Sequence, residues 1–370
     1  SDAGVLKRVD YSYIKGITQT SFLPNAQPII INADMQVSQR ATSATGITGS
    51  GYNICDRMKV VGSIGTWTDT QETLTSGNAF DAGFQKSFRM DVTTADASPG
   101  AGDAKIFTTY LEGQNLGMFK KGTSNAETYT LAFWVKSNKT GTGQVNLADN
   151  DNTRMCGASY TISSGDTWEH KVLNYAADTT GAFDNDNARS LKIEFWLDSG
   201  SNFDSGTMPT AWEAEAAADE NASGTLNIGD STSNDWAITG IQLEVGTYTS
   251  ADLPPFRHES YGDNLLRCYR YFQAFHPRGS GKVFGSVTAY LQVPLLTTMR
   301  TTPSYTQNAV WRITNNDTGE FTQGSTGGGF DQSDSTSGRL AGNNFTGLTD
   351  AQTIFAAPNG NLAAFFSSEL

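Results

Sequence analysis

Trp67, Trp168, Trp196 and Trp212 are the residues in this sequence best suited to recognition chemistry. A flat, largely apolar ring can stack on the face of a sugar while neighbouring amides and carboxylates hydrogen-bond its hydroxyls, so these four are the candidate glycan-binding residues. In the run Leu191-Lys192-Ile193-Glu194-Phe195-Trp196-Leu197, Trp196 falls on the face opposite Phe195 and is expected to meet solvent or a neighbouring subunit. Trp168 opens a strand, where it serves equally well to cap a core, as large aromatics mostly do. Acid–base chemistry has thinner support. Glu213, Glu215, Asp219 and Glu220 form the densest acidic group, and a carboxylate pair across a glycosidic bond can hydrolyse it. Set among alanines, they read instead as a solvated loop or a turn or two of helix. His170, His258 and His276 show no HExxH spacing, no GxSxG elbow accompanies them, and no glycine-rich phosphate loop opens a helix. Cys55, Cys156 and Cys268 are odd in number and free of CxxC spacing, which suggests neither a disulfide framework nor a zinc site. The chain is read as noncatalytic, with no cofactor required.

The elements that must position these residues are mostly strands. Between residues 29 and 245, short β-branched or alternating runs recur between turn formers, and two of them show their buried face directly. Leu191, Ile193, Phe195 and Leu197 share one face, as do Leu131, Phe133 and Val135. About eight such runs fit a β-sandwich. Pro254-Pro255 ends the pattern, since a proline pair cannot continue a central strand. Beyond it, Leu265, Tyr269 and Phe272 at i, i+4 and i+7 predict a short amphipathic helix starting near Asp263. Leu265, Tyr269 and Phe272 are expected to pack on the sandwich of the same chain or on a partner helix, and in the second case Arg267 and Arg270 with Asp263 would set a salt-bridge layer between protomers. The expected organisation is an N-terminal arm (1–28), a sandwich (29–253), a linker with the helix (254–280) and a smaller C-terminal β domain (281–370).

A net charge of −13 and a pI near 4.6, without a Lys/Arg cluster, argue against a nucleic-acid partner. No apolar run is long enough for a membrane-spanning helix, and the first residues lack the layout of a signal peptide.

The string Trp236-Ala237-Ile238-Thr239-Gly240-Ile241-Gln242-Leu243-Glu244-Val245-Gly246, followed by Phe256 to Phe272 with Leu265-Leu266-Arg267-Cys268-Tyr269-Arg270-Tyr271, resembles a pattern of bacteriophage tail-fibre and appendage proteins, "tGvQLE-G" and then "rpygeELalCqRYy". Asn32-Ala33-Asp34-Met35-Gln36-Val37-Ser38-Gln39-Arg40 and Asp56-Arg57 are similar to the start of the same module, with Met58 where the pattern has Trp. Met299-Arg300 and the terminal Glu369-Leu370 resemble its later parts. The resemblance implies an all-β chain: a jelly roll like carbohydrate-binding domains, a short helix, and a small C-terminal β domain. It further implies a virion location and assembly as a homotrimer. The expected partners are other virion proteins, reached through the N-terminal arm, and a host cell-surface glycan. Because such jelly rolls often hold structural calcium, Asp34 and Glu244, on what read as the first and last strands, are the candidate metal ligands. A glycan-degrading tailspike-type enzyme and a purely structural capsid-decorating protein remain as alternatives.

Overall fold

The computed structural model describes residues 27–275, 279–315, 319–357 and 364–370. The expected arm therefore lies almost wholly outside the described residues, as does His276.

Twelve strands build the sandwich among the described residues: β1 (Ser43–Ile47), β2 (Lys59–Gly62), β3 (Thr66–Thr73), β4 (Lys86–Thr94), β5 (Ala104–Glu112), β6 (Tyr129–Ser137), β7 (Gly141–Asp149), β8 (Arg154–Ile162), β9 (Glu169–Tyr175), β10 (Arg189–Ser199), β11 (Glu213–Ala214) and β12 (Asp235–Val245). They pair antiparallel in two six-stranded sheets, ordered β1-β3-β4-β12-β6-β9 and β11-β8-β7-β10-β5-β2. This is the expected all-β jelly roll. The alternating residues of β6 and β10 meet between the sheets, where the rings of Phe133 and Phe195 lie 4.9 Å apart and that of Phe107 packs 5.0 Å from Phe88. Strand β12 carries a bulge between Thr239 and Gln242. Gly240 sits there at φ 63°, and a Cβ on it would collide with the Phe84 ring. The extra residue keeps Ile238 and Ile241 buried although they are three positions apart.

Sequence reading misplaced two elements. The residues around Asp34, expected on the first strand, form turns, with Asn32 and Met35 at positive φ. The Asn32 amide donates to the carbonyls of Val37 and Asp56, which satisfies locally the backbone that a sheet would otherwise pair. The stretch Trp212–Glu220 forms β11 and a 3₁₀ turn, Ala217–Asp219, instead of an α-helical turn. It belongs to a long excursion between β10 and β12 that folds over the outer face of the second sheet. Gln144 and Asn146, which point outward from that sheet, donate to the carbonyls of Asp219 and Glu220 at 2.8 and 2.7 Å.

The helix runs Tyr261–Tyr269 and is capped by Ser260, whose hydroxyl accepts from the Asp263 amide. It is followed at once by β13 (Phe272–Phe275), so the linker expected over 254–280 already contains a strand. Then come β14 (Ser280–Phe284), β15 (Thr288–Pro294), β16 (Ser304–Gln307), β17 (Arg312–Asn315), β18 (Glu320–Thr322), β19 (Gly328–Asp331), β20 (Ser337–Gly342), β21 (Thr353–Ala357) and β22 (Ala364–Ser367). They form a three-stranded sheet, β13-β22-β16, and a seven-stranded one, β18-β17-β21-β14-β15-β20-β19, around a separate core that includes Leu291, Trp311, Ile313, Leu340 and Phe366.

A buried polar clasp ties the two β units together. Glu369 takes the guanidinium of Arg57 on one carboxylate oxygen and that of Arg40 on the other, the latter at 3.2 Å. Arg57 lies 3.6 Å over the Tyr271 ring and Arg40 3.6 Å over that of Phe272. Arg270 reaches Glu112 with two hydrogen bonds, 2.8 and 2.7 Å, and Arg300 donates to the carbonyls of Ser368 and Glu369. Tyr52 donates to the Leu370 carbonyl at 2.9 Å. The separate strings that carried the resemblance (Gln39-Arg40, Asp56-Arg57, Arg270-Tyr271-Phe272, Met299-Arg300 and Glu369-Leu370) thus converge on one junction.

Candidate functional site

None of the four expected tryptophans presents a ring to solvent. Trp67 is fully buried and donates to the Ile64 carbonyl at 2.6 Å. Trp168 packs with Leu74, Ala79 and Phe84 under the helical turn Asn78–Asp81. Trp212 donates to the Ala176 carbonyl at 2.8 Å. Trp196 does point away from the inter-sheet core, but the excursion after β10 covers it and Phe203 packs 5.2 Å from its ring. As sugar-stacking platforms these residues are corrected: their apolar area is already consumed by the fold.

The expected calcium ligands do not fit either. Asp34 lies in a turn, 3.3 Å from the Asn264 amide and 4.0 Å from His258, whereas Glu244 is held by Arg257 at 3.2 Å and Gln242 at 3.0 Å. A carboxylate already neutralised by a guanidinium is a poor cation ligand, and among the described residues no group of three or more His, Cys, Asp or Glu side chains is gathered to hold a metal ion.

The helix residues are spent within the chain. Its buried stripe is Asn264 and Cys268, while Leu265 and Tyr269 are half-buried and Phe272 belongs to β13. Arg267 pairs with Glu259 at 2.6 Å, Arg270 with Glu112, and Asp263 accepts from Ser260. Within the chain these groups are paired, because the helix ends at Tyr269 and delivers Arg270 to the sandwich edge.

What the structure does bring together lies on the outer face of the first sheet. The inward set Leu131, Phe133 and Val135 forces Trp134 outward, and its cross-strand partner is His170. The two rings stack at 4.9 Å and 26°. Trp134 is half-buried and His170 exposed. Two depressions, of about 280 and 470 Å³, meet at His170 and Ser250. The first is lined by Trp134, Gln242 and Phe256, the second by Asn174, Tyr248 and Thr249. Their volumes fall near the lower part of the range for ligand pockets. Asn174 fixes the wall of the second: its amide donates to the Tyr248 carbonyl at 2.9 Å and its oxygen accepts from Thr130 at 2.6 Å. Burial lowers the pKa of His170, which favours a neutral imidazole that both donates and accepts. Stacked aromatics flanked by hydroxyls and amides are suited to a polyhydroxylated ligand. Alternation in the sequence already placed Trp134 on this face, whereas Tyr248 stands in a loop where no periodicity could select it.

A second feature lies on the other sheet. Lys192 bridges Glu194 at 3.5 Å and Glu215 at 3.2 Å, with Glu220 beside them. Burial, then repulsion from Glu194 and Glu215, pushes the Glu220 carboxyl up to about 8. Three carboxylates around one ammonium therefore retain a proton near neutrality.

No protein-family model and no curated protein matches the chain. Among solved structures it is similar to the enzymatically active domain of tailspike protein 4 of bacteriophage CBA120, at 14% identity and a TM-score of 0.28, covering 59% of this chain and 21% of that one. It is also similar to the N-terminal cellulose-binding domain of Cellulomonas fimi β-1,4-glucanase C, at 11% identity and a TM-score of 0.26, covering 58% of this chain and all of the other. A family 11 carbohydrate-binding module of Clostridium thermocellum, solved with a mixed-linked tetrasaccharide, matches at 11% identity and a TM-score of 0.26 over 58% of this chain and 95% of the module.

Proposed function

We propose that this chain is a noncatalytic virion appendage protein whose sandwich binds a glycan at the Trp134–His170–Tyr248 groove. The observation that carries the reading is the stacked, solvent-facing Trp134–His170 pair set among amide and hydroxyl groups on the outer face of the first sheet. The appendage part rests on the resemblance and on the clasp that joins the two β units. Assembly is expected as a homotrimer. The decisive experiment is a glycan array probed with the wild type, Trp134→Ala, Tyr248→Ala, and Tyr290→Ala in the C-terminal sheet as control. Binding lost in the first two variants and kept in the third supports the groove; no binding by the wild type leaves only the structural role.

A glycan-cleaving reading is favoured by one feature, the protonated Glu220 beside Glu194 and Glu215. New reducing ends released from host polysaccharide by the wild type, and absent with Glu220→Gln, would establish it in place of the binding reading.

A further inference from the structure

Two cations on the outer face of the second sheet are left without an anion. Lys59 on β2 stands opposite Thr108 of β5, and Arg189 on β10 stands opposite Glu112, so the two flank Tyr110 from the strands on either side of it. Lys59 Nζ lies 5.3 Å and Arg189 Cζ 4.8 Å from the centre of the Tyr110 ring, and the same ammonium is 5.6 Å from that of Tyr52. Among the described residues neither side chain makes an ion pair or a hydrogen bond. Like charges gathered round one ring repel, and salt screens them only in part, because the Debye length is about 8 Å at physiological ionic strength. Burial, and then the charge of Arg189, lowers the pKa of Lys59.

The carboxylates in this region are already engaged. Glu194 is bridged by Lys192 at 3.5 Å, Glu112 takes two bonds from Arg270, and Glu369 is shared by Arg57 and Arg40. Arg300 adds a further positive charge beside Asn187, with its guanidinium donating to the carbonyls of Asn187, Ser368 and Glu369. In a chain of net charge −13 this corner is locally positive. Lys59 and Arg189 are both half-buried on long stems, so their heads can turn toward one ligand. An unpaired ammonium and an unpaired guanidinium are charge-assisted donors suited to a carboxylate, sulfate or phosphate. The overall negative charge opposes a long polyanion, which leaves a short one.

We propose that Lys59 and Arg189, flanking Tyr110, form an oxyanion site that takes the acidic group of a short acidic saccharide. The site lies on the sheet opposite the Trp134 groove and does not depend on it.

The test is isothermal titration of the wild type, Lys59→Gln/Arg189→Gln, Lys59→Arg and, as a control, Lys282→Gln in the C-terminal sheet. The probes are inorganic sulfate, trigalacturonate and the uncharged methyl ester of trigalacturonate, at low and raised sodium chloride. The wild type is expected to bind trigalacturonate at least tenfold more tightly than the ester, with an affinity that falls as salt rises. The double variant should lose that preference, whereas Lys59→Arg and Lys282→Gln should keep it. Sulfate binding that only the double variant loses, with no preference for trigalacturonate over its ester, supports the oxyanion site and assigns it to a free anion. Should the double variant not fold, Lys59→Gln alone is expected to weaken trigalacturonate binding at least threefold, and an unchanged affinity would count against the site. A wild type that binds neither sulfate nor trigalacturonate, or a double variant that binds them as the wild type does, overturns the proposal.

Discussion

Glu220 illustrates how a single side chain can set a pH dependence. Its carboxyl is raised from 4.5 to about 8 by burial first and by Glu194 and Glu215 after it. Between those values the folded chain holds a proton that the unfolded chain has released, so folded stability falls as pH rises through this window and levels off above it. Glu220→Gln keeps the shape and abolishes the ionisation. Its Tm should match the wild type near pH 4.5 and exceed it near pH 8, and a constant offset across the range would refute the assignment. The tryptophans separate by role at the same scale. Trp67→Ala should lower unfolding free energy by about 3–5 kcal/mol in denaturant titration, because it empties a closed core. Trp134→Ala should instead weaken glycan binding by about tenfold, roughly 1.4 kcal/mol, with a smaller cost in stability.

At the scale of elements, the clasp determines whether the two β units unfold together. Arg57 is enclosed by Glu369, the Tyr110 carbonyl and the Tyr271 ring, so cutting it to alanine leaves the buried Glu369 carboxylate with Arg40 alone. A loss of about 3–5 kcal/mol is the usual scale for breaking a buried pair from one side. Calorimetry should then resolve two transitions where the wild type shows one, and proteases should gain access near Pro254-Pro255; a single, merely lowered transition would show that other contacts dominate the coupling. Asp56, carried to about 7 by burial against the opposing pull of Arg40 and Gln39, lies beside this clasp.

For the whole molecule, the clasp joins two β units, and the proposed appendage role adds self-assembly. Sedimentation at micromolar concentration should find a trimer, and a monomer alone would count against that role. The sequence by itself determined the all-β class, the break at Pro254-Pro255, and the buried faces of β6 and β10, because period-two alternation and proline geometry are local properties. It could not determine which outward faces stay open. The same alternation turns both Trp134 and Trp196 away from the core. Trp134 remains at a groove, while Trp196 is sealed by a loop that reaches back through hydrogen bonds from Gln144 and Asn146 to residues some 75 positions away. Sequence likewise offered Asp34 and Glu244 for a cation, whereas only the folded chain shows Asp34 beside the Asn264 amide and Glu244 held by Arg257. Alternation fixes a side chain's direction within its own strand; what waits in that direction is set by the packing of distant segments.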